Sequence, residues 1–208
     1  MAQVRLRLDA NSEAEAVARA ADALRAGGVA FLPAEGLYGL HALATSSQAI
    51  ERLRRIKSRA PGKGYIGLIA EPEEIDAWAE PEPAARELVR KHWPGALTLV
   101  LRASASVPES LRAADGTVAL RCPGSAFLRA VIAAAGGLVI STSANPPGGA
   151  PAVRSDDAPG NCDLVVDAGT LSGIPSTVAR ISVGGIVELL REGAVRLPGG
   201  GHMPGGGP

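Results

Sequence analysis

Three cations, Lys57, Arg59 and Lys63, lie close together around Pro61-Gly62. Such a cluster can clamp a polyphosphate, since arginine offers phosphate oxygens a planar fork and lysine a compact point charge. At the end of an apolar-periodic segment the same cations complement a helix dipole, and taken alone the pattern reads more simply that way. A second candidate is Ser141-Thr142-Ser143-Ala144-Asn145, which leaves the apolar run Leu138–Ile140. Hydroxyls and amides at a strand end sit where α/β folds place ligands. They also satisfy their own backbone in turns, and the spacing does not separate the two. Arg121 closes Thr117-Val-Ala-Leu-Arg, Ser176-Thr177 precede Val178, and Arg191-Glu192-Gly193 follow an apolar run. Each could present a hydroxyl or guanidinium to an anion, though alone each reads as an ordinary strand end.

Other chemistries find no support. No G-x-x-x-x-G-K-[ST] loop occurs, and Pro146-Pro147-Gly148-Gly149 fits no dinucleotide fingerprint. Cys122 and Cys162 are far apart with no CxxC, and His41, His92 and His202 have neither metal-ligand spacing nor a triad context. Lys plus Arg equals Asp plus Glu at 21 each, so nothing global draws the chain to nucleic acid or an anionic membrane, and any anion site must be local. No apolar run has membrane-spanning length and no signal-peptide pattern opens the chain, so a cytoplasmic protein without membrane contact is expected.

The elements that would position these residues follow from periodicity. Val4–Leu8 alternates apolar and basic, as an edge strand does. Ser12 with Glu15 has the capping-box pattern ahead of a helix over Glu13–Ala26, stopped by Gly27-Gly28. Val29–Leu32 is a buried strand ending in the loop Ala34–Gly39. Helices are expected at Ser47–Arg59, Pro72–Trp78, Pro83–His92 and Ala126–Ala135. Strands are expected at Tyr65–Ala70, Leu97–Arg102, Thr117–Arg121, Leu138–Ser141, Leu164–Asp167, Thr177–Ile181 and Ile186–Leu190. The mixture specifies an α/β fold with a twisted mixed sheet and flanking helices. With 208 residues and 46% hydrophobic content the chain can bury a core, and with 3% aromatics that core must be aliphatic. Residues 1–197 read as one domain and 198–208 as a Gly/Pro-rich disordered tail.

The order of the motifs is more specific than any one of them. Pro33-Ala-Glu-Gly-Leu-Tyr-Gly39 resembles P-T-E-T-V-Y-G. Lys57-Ser-Arg59 with Lys63 resembles K-x-R-P-x-x-K, with the proline one place late. Trp93-Pro-Gly-Ala-Leu-Thr98 resembles W-P-G-P-L-T, and Thr117-Val-Ala-Leu-Arg121-Cys-Pro resembles T-V-A-V-R-x-P. Ser141–Asn145 is S-T-S-A-N, and Asp167-Ala-Gly169, Pro175-Ser-Thr-Val178 and Leu190-Arg-Glu-Gly193 follow in order. Together they resemble the YrdC-like threonylcarbamoyl-AMP synthases.

That resemblance implies a concave basic cavity and a reaction joining L-threonine, bicarbonate and ATP into threonylcarbamoyl-AMP and pyrophosphate. Mg²⁺ would be bound mainly through the phosphates. A tRNA threonylcarbamoyl transferase complex would receive the product, and a weak RNA contact is a further expectation. Carried over by position, Arg59 and Lys63 hold the triphosphate with Lys57 nearby. Thr117, Ser143 and Arg191 also contact nucleotide, and Asn145 braces the S-T-S turn. Arg121 and Ser141 hold the amino acid, with Ser176 adjacent. No catalytic base is evident, so positioning and charge stabilisation are expected to dominate. Ala34 and Gly36 replace both threonines of P-T-E-T, and Arg180 stands where the family often has Asp. Gly36 cannot offer the substrate a hydroxyl, and it is expected to leave room and weaken discrimination for threonine. The alternatives are a paralogue acting on another carbamoyl-adenylate or amino acid, and a non-catalytic RNA-binding module.

The cation cluster yields a test. Arg59→Ala and Lys63→Ala should each weaken ATP binding about tenfold or more without unfolding the chain, as expected for a charge-assisted hydrogen bond. Calorimetry showing unchanged ATP affinity in both variants would remove these side chains from the site.

Overall fold

A computed structural model describes residues 3–57, 65–145 and 149–197. Arg59, Lys63 and the 198–208 segment therefore lie outside the described residues. The strands are β1 (Val4–Arg7), β2 (Ala30–Pro33), β3 (Tyr38–Leu43), β4 (Ile66–Leu68), β5 (Leu97–Arg102), β6 (Thr117–Arg121), β7 (Val139–Ser143), β8 (Leu164–Asp167), β9 (Thr177–Ile181) and β10 (Val187–Arg191). The helices are α1 (Glu13–Arg25), α2 (Ser47–Ile56), α3 (Ile75–Trp78), α4 (Pro83–His92) and α5 (Ala126–Ala135).

The expected elements are present with small shifts at their ends. β3 is an addition: Tyr-Gly-Leu-His-Ala-Leu is buried along its whole length, so it lacks the alternation that marks a half-exposed strand. The capping box at Ser12 is not made. Its hydroxyl turns back to donate to the Arg7 carbonyl at 2.7 Å, while the Asp9 carboxylate accepts from the Asn11 and Ser12 amides. Ser46 and Ser125 do cap α2 and α5, accepting from Ala49 and Leu128 at 3.2 Å each, and Gly136 ends α5 at φ 76°. The S-T-S hydroxyls belong to β7 itself rather than to a turn beyond it.

The strands form one mixed sheet in the order β1-β8-β2-β3-β7-β4-β6-β5-β9-β10. One face carries the larger core, where Phe31, Leu40, Leu99, Leu120 and Ile140 pack with Ile50 and Leu53 of α2. The other face carries α1 and α5, which set Ala20, Leu24, Leu128 and Ile132 against Leu32, Leu43, Leu68 and Val139. β2 feeds both cores through alternate residues, which explains why it is apolar throughout.

The helical cover on this second face is partial. Leu43 of β3 pairs with Val139 of β7 beneath the helices; one step along, His41 pairs with Ser141, and then Gly39 with Ser143. Side chains two apart on a strand share a face, so the apolar floor under α5 runs directly into a polar one.

Tyr38 anchors this region. Its ring stacks on Phe31 with centroids 5.1 Å apart, and its hydroxyl accepts from the Ala168 amide and donates to the Gly169 carbonyl, both at 2.8 Å. The Asp167-Ala-Gly169 turn is thereby tied to β3. Burial raises the Tyr38 pKa, so the phenol remains a donor. Tyr38→Phe should lower the free energy of unfolding by about 1–3 kcal/mol, because the turn's amide and carbonyl lose their partner. Urea denaturation checks it; a midpoint that does not move would show the turn to be held otherwise.

Candidate functional site

A cavity of about 320 Å³ opens over the polar floor. Its walls come from the β2–β3 loop (Glu35, Gly36, Leu37), β3 (Gly39, His41), β6 (Arg121), β7 (Ser141, Ser143), the segment before β9 (Ser172, Ile174, Ser176) and β10 (Arg191).

Arg121 reaches it from the end of β6. Its Nε donates to the Gly95 carbonyl at 3.0 Å, and its Nη2 pairs with a Glu35 carboxylate oxygen. The other Glu35 oxygen accepts from the Gly124 amide. Arg191 reaches it from the end of β10. Its guanidinium donates twice to the Ser176 carbonyl, at 2.8 and 3.1 Å, and once to the Ser176 hydroxyl at 3.0 Å. That hydroxyl also lies 3.0 Å from the buried Thr98 hydroxyl. Burial, and secondarily the charge of Arg121, lower the Arg191 pKa. An arginine nonetheless remains charged, so the cavity holds two guanidiniums, one already paired with a carboxylate.

The expected substrate residues Gly36, Arg121, Ser141 and Ser176 all line this cavity, as do the expected nucleotide residues Ser143 and Arg191. Lys57, Asn145 and Thr117 are not in its lining. The Lys57 ammonium donates to the Asn145 carbonyl, and the Asn145 side-chain amide donates to Gly149 O at 2.9 Å, so Asn145 ties to the chain that follows β7 rather than to the S-T-S residues. Thr117 shares the face of Arg121 but stands four residues, about 13 Å, further along β6. Its hydroxyl donates to Asp115 at 2.6 Å, and Asp115 pairs with Arg180 at 3.4 Å.

Gly36 overturns an expectation. A Cβ built there would meet the Ile174 carbonyl oxygen at 2.0 Å and the Ser172 hydroxyl at 3.1 Å. The Gly173 amide also donates to the Gly36 carbonyl at 2.9 Å. The missing side chain therefore leaves no extra room: a neighbouring backbone fills the space. Gly193 works likewise, since a Cβ there would lie 2.4–2.5 Å from backbone atoms of Pro175, Ser176 and Thr177.

The sequence reading assigned no role to Glu35, His41 or Ser172. Glu35 lay within the P-A-E-G stretch, where a carboxylate between two small residues was the available signal. His41 had none, because its partner is a cross-strand residue far away in the chain.

Comparisons with known proteins identify the family of this fold. A family model described as "Telomere recombination", covering Sua5, YciO and YrdC, matches residues 22–193. The chain belongs to this family. A threonylcarbamoyl-AMP synthase of Halorhodospira halophila is 36% identical over 137 residues, spanning 65% of this chain and 72% of the relative. One from Chromohalobacter salexigens is 31% identical over 185 residues, spanning 86% and 98%. Among solved structures, P. abyssi Sua5 complexed with L-threonine superposes with a TM-score of 0.82 at 29% identity, over 93% of this chain. The match covers 58% of that Sua5 chain. E. coli YciO shares the fold at a TM-score of 0.84 and 24% identity, over 95% of this chain and 98% of its own.

In this chain's Pro33–Gly36 stretch, then, Gly36 is a packing requirement. Gly36→Thr should destabilise the fold by about 1–3 kcal/mol or more through the collision with Ile174. Ala34→Thr/Gly36→Thr should carry the same loss and bring no sharper preference for threonine. Urea unfolding and kcat/KM for threonine and serine test both; a stable double variant with improved discrimination would restore the open-pocket reading.

Proposed function

We propose that this chain is an L-threonylcarbamoyladenylate synthase, joining L-threonine, bicarbonate and ATP into threonylcarbamoyl-AMP with release of pyrophosphate. The observation that carries this reading is the convergence of Arg121, Arg191, Ser141, Ser143 and Ser176 on one cavity, within a domain whose relatives bear that name. At about 320 Å³ the cavity lies at the small end of ligand sites and suits an amino acid beside part of a nucleotide. The Ile174 carbonyl fills the space beside Gly36, so the cavity gains no room there for a larger amino acid.

The residues divide the work by charge. Arg121, held by Gly95 and Glu35, keeps guanidinium N–H groups for a substrate carboxylate. Arg191, fixed on Ser176, sets a second positive charge in the cavity wall. Fixed cations of this kind stabilise charge that develops as the carbamate attacks the α-phosphate and pyrophosphate departs, at no reorganisation cost during reaction. Arg59, Lys63 and Lys57 are proposed to extend that field along the triphosphate. Thr117 would join them if its hydroxyl turned from Asp115 toward nucleotide. Among the described residues no group of three or more His, Cys, Asp or Glu side chains is placed to hold a metal ion; Mg²⁺, which would neutralise phosphate charge, is proposed as an ion held through the phosphates. A tRNA-directed transferase is the proposed recipient of the product. No described helix is long and apolar enough to cross a membrane.

The test is mass spectrometry of the products formed by the full chain from ATP, bicarbonate and a panel of amino acids. Threonylcarbamoyl-AMP and pyrophosphate should accumulate only with all three substrates, and Arg121→Ala should raise KM for threonine about tenfold or more. Pyrophosphate release that is indifferent to threonine would overturn the reading.

A further inference from the structure

An ion pair lies in the wall of the cavity. Glu35, from the β2–β3 loop, meets the guanidinium of Arg121, and both residues line the cavity. The Glu35 side chain keeps 25% of its surface exposed, against 12% for Arg121. It is the one carboxylate among the described residues of the lining. A positively charged ligand group in this cavity therefore has a single anionic partner to meet there.

Neither member of the pair is used up. A carboxylate offers about four lone-pair sites. Arg121 takes one on the first Glu35 oxygen, and the Gly124 amide takes one on the second. On the other side, the Arg121 Nε donates to the Gly95 carbonyl at 3.0 Å and Nη2 donates to Glu35, while no described residue accepts from Nη1. Nε and Nη2 lie along one edge of the planar guanidinium. The protein occupies that edge. Nη1 and the second Nη2 hydrogen form the other edge, a fork that fits a ligand carboxylate.

That arrangement sets a condition on the ligand. A carboxylate on the free edge of Arg121 shares Nη2 with Glu35, so two negative groups flank one nitrogen and repel each other. A ligand that carries a positive group beside its carboxylate removes the conflict. A free α-amino acid does so, because its ammonium sits on the carbon next to the carboxylate. Set against the remaining lone pairs of Glu35, that ammonium closes a ring of alternating charge. Arg121, the ligand carboxylate, the ligand ammonium and Glu35 then each have opposite charges as neighbours.

We propose that Glu35 is the ammonium subsite of this cavity, and that the Glu35–Arg121 pair selects zwitterionic α-amino acids over carboxylates that lack the amino group. This rests on the reading of the cavity as an amino-acid site. A hydroxy acid of the same shape brings the carboxylate without its counter-charge, and it leaves the cavity side of Glu35 facing a like charge. Glu35 thus has two partners at once: Arg121, which it shares with the substrate, and the substrate's own amino group.

Calorimetry on the full chain decides it. The probes are L-threonine and the hydroxy acid that carries a hydroxyl in place of threonine's amino group. The wild type should bind threonine at least about tenfold more tightly. Glu35→Gln keeps the shape of the side chain and removes its charge, and urea unfolding reports whether the variant is folded. It should narrow the preference to about threefold or less, chiefly by weakening threonine. A residue that only holds Arg121 in place would weaken both ligands alike, since both present the same carboxylate, so an unchanged ratio in Glu35→Gln overturns the proposal. A wild type that binds the hydroxy acid as tightly as threonine overturns it as well, whether or not the variant folds. The reading of the reaction fails separately. A wild type with the expected preference that forms no threonylcarbamoyl-AMP would sink the synthase and keep the subsite, whereas product formation with a ratio unmoved by Glu35→Gln would sink the subsite alone.

Discussion

Taking the Arg121 guanidinium out of water, to 12% side-chain exposure, carries a desolvation penalty of several kcal/mol that only close and well-aimed partners offset. Three turns meet around this side chain to supply them. The Trp93-Pro-Gly95 turn, with its cis Trp93–Pro94 bond, brings the Gly95 carbonyl; the β2–β3 loop brings Glu35; and Cys122-Pro-Gly124 brings an amide that orients Glu35 in turn. The glycines are part of the same requirement. A Cβ at Gly95 would lie 2.3 Å from the His92 carbonyl oxygen, and one at Gly124 would press on Glu35 and on the Gly95 Cα. The W-P-G and R-C-P-G stretches are therefore the housing of one buried cation, and the cavity wall follows from that housing.

Much of the fold was legible from periodicity, because α1, α2, α4 and α5 each bury one stripe and most strands are bounded by turn residues. β3 was not, since burial on both faces erases alternation and Gly39 read as the end of a loop. The site was legible as a set of residue types: Gly36, Arg121, Ser141, Ser143, Ser176 and Arg191 do meet. Their partners were not. Glu35 finds Arg121 and His41 finds Ser141 only through sheet register, and no local pattern encodes a contact between residues so far apart in the chain. Ser12 failed as a cap for a comparable reason. The Arg7 carbonyl, at the end of β1, competed for its hydroxyl and won.

Gly36 shows how a motif can mislead when read as side chains alone. Loss of a hydroxyl suggests a vacancy, whereas the backbone of Ile174 lies in contact there, as backbone can where no Cβ intervenes. Gly193 holds the other end of the same segment: the Ala194 amide donates to Pro175 O, and the Thr177 hydroxyl exchanges hydrogen bonds with the Val195 backbone. The stretch from 172 to 177 is thus pinned at two glycines, Gly36 and Gly193.

The β9–β10 hairpin is anchored unevenly. At one end, Arg191 grips Ser176 and Gly193 lies flush against the backbone of residues 175–177. At the other, Val183 and Ile186 stand exposed around Gly184 and Gly185, at φ 88° and 78°. Local opening begins where few buried contacts oppose it, so this ribbon frays from its tip while its root keeps Arg191 in place. For protein engineering, the bond between Gly184 and Gly185 is consequently a permissive point for inserting a tag or a reporter domain, because thermal noise and added mass at the tip are mechanically isolated from the ligand cavity.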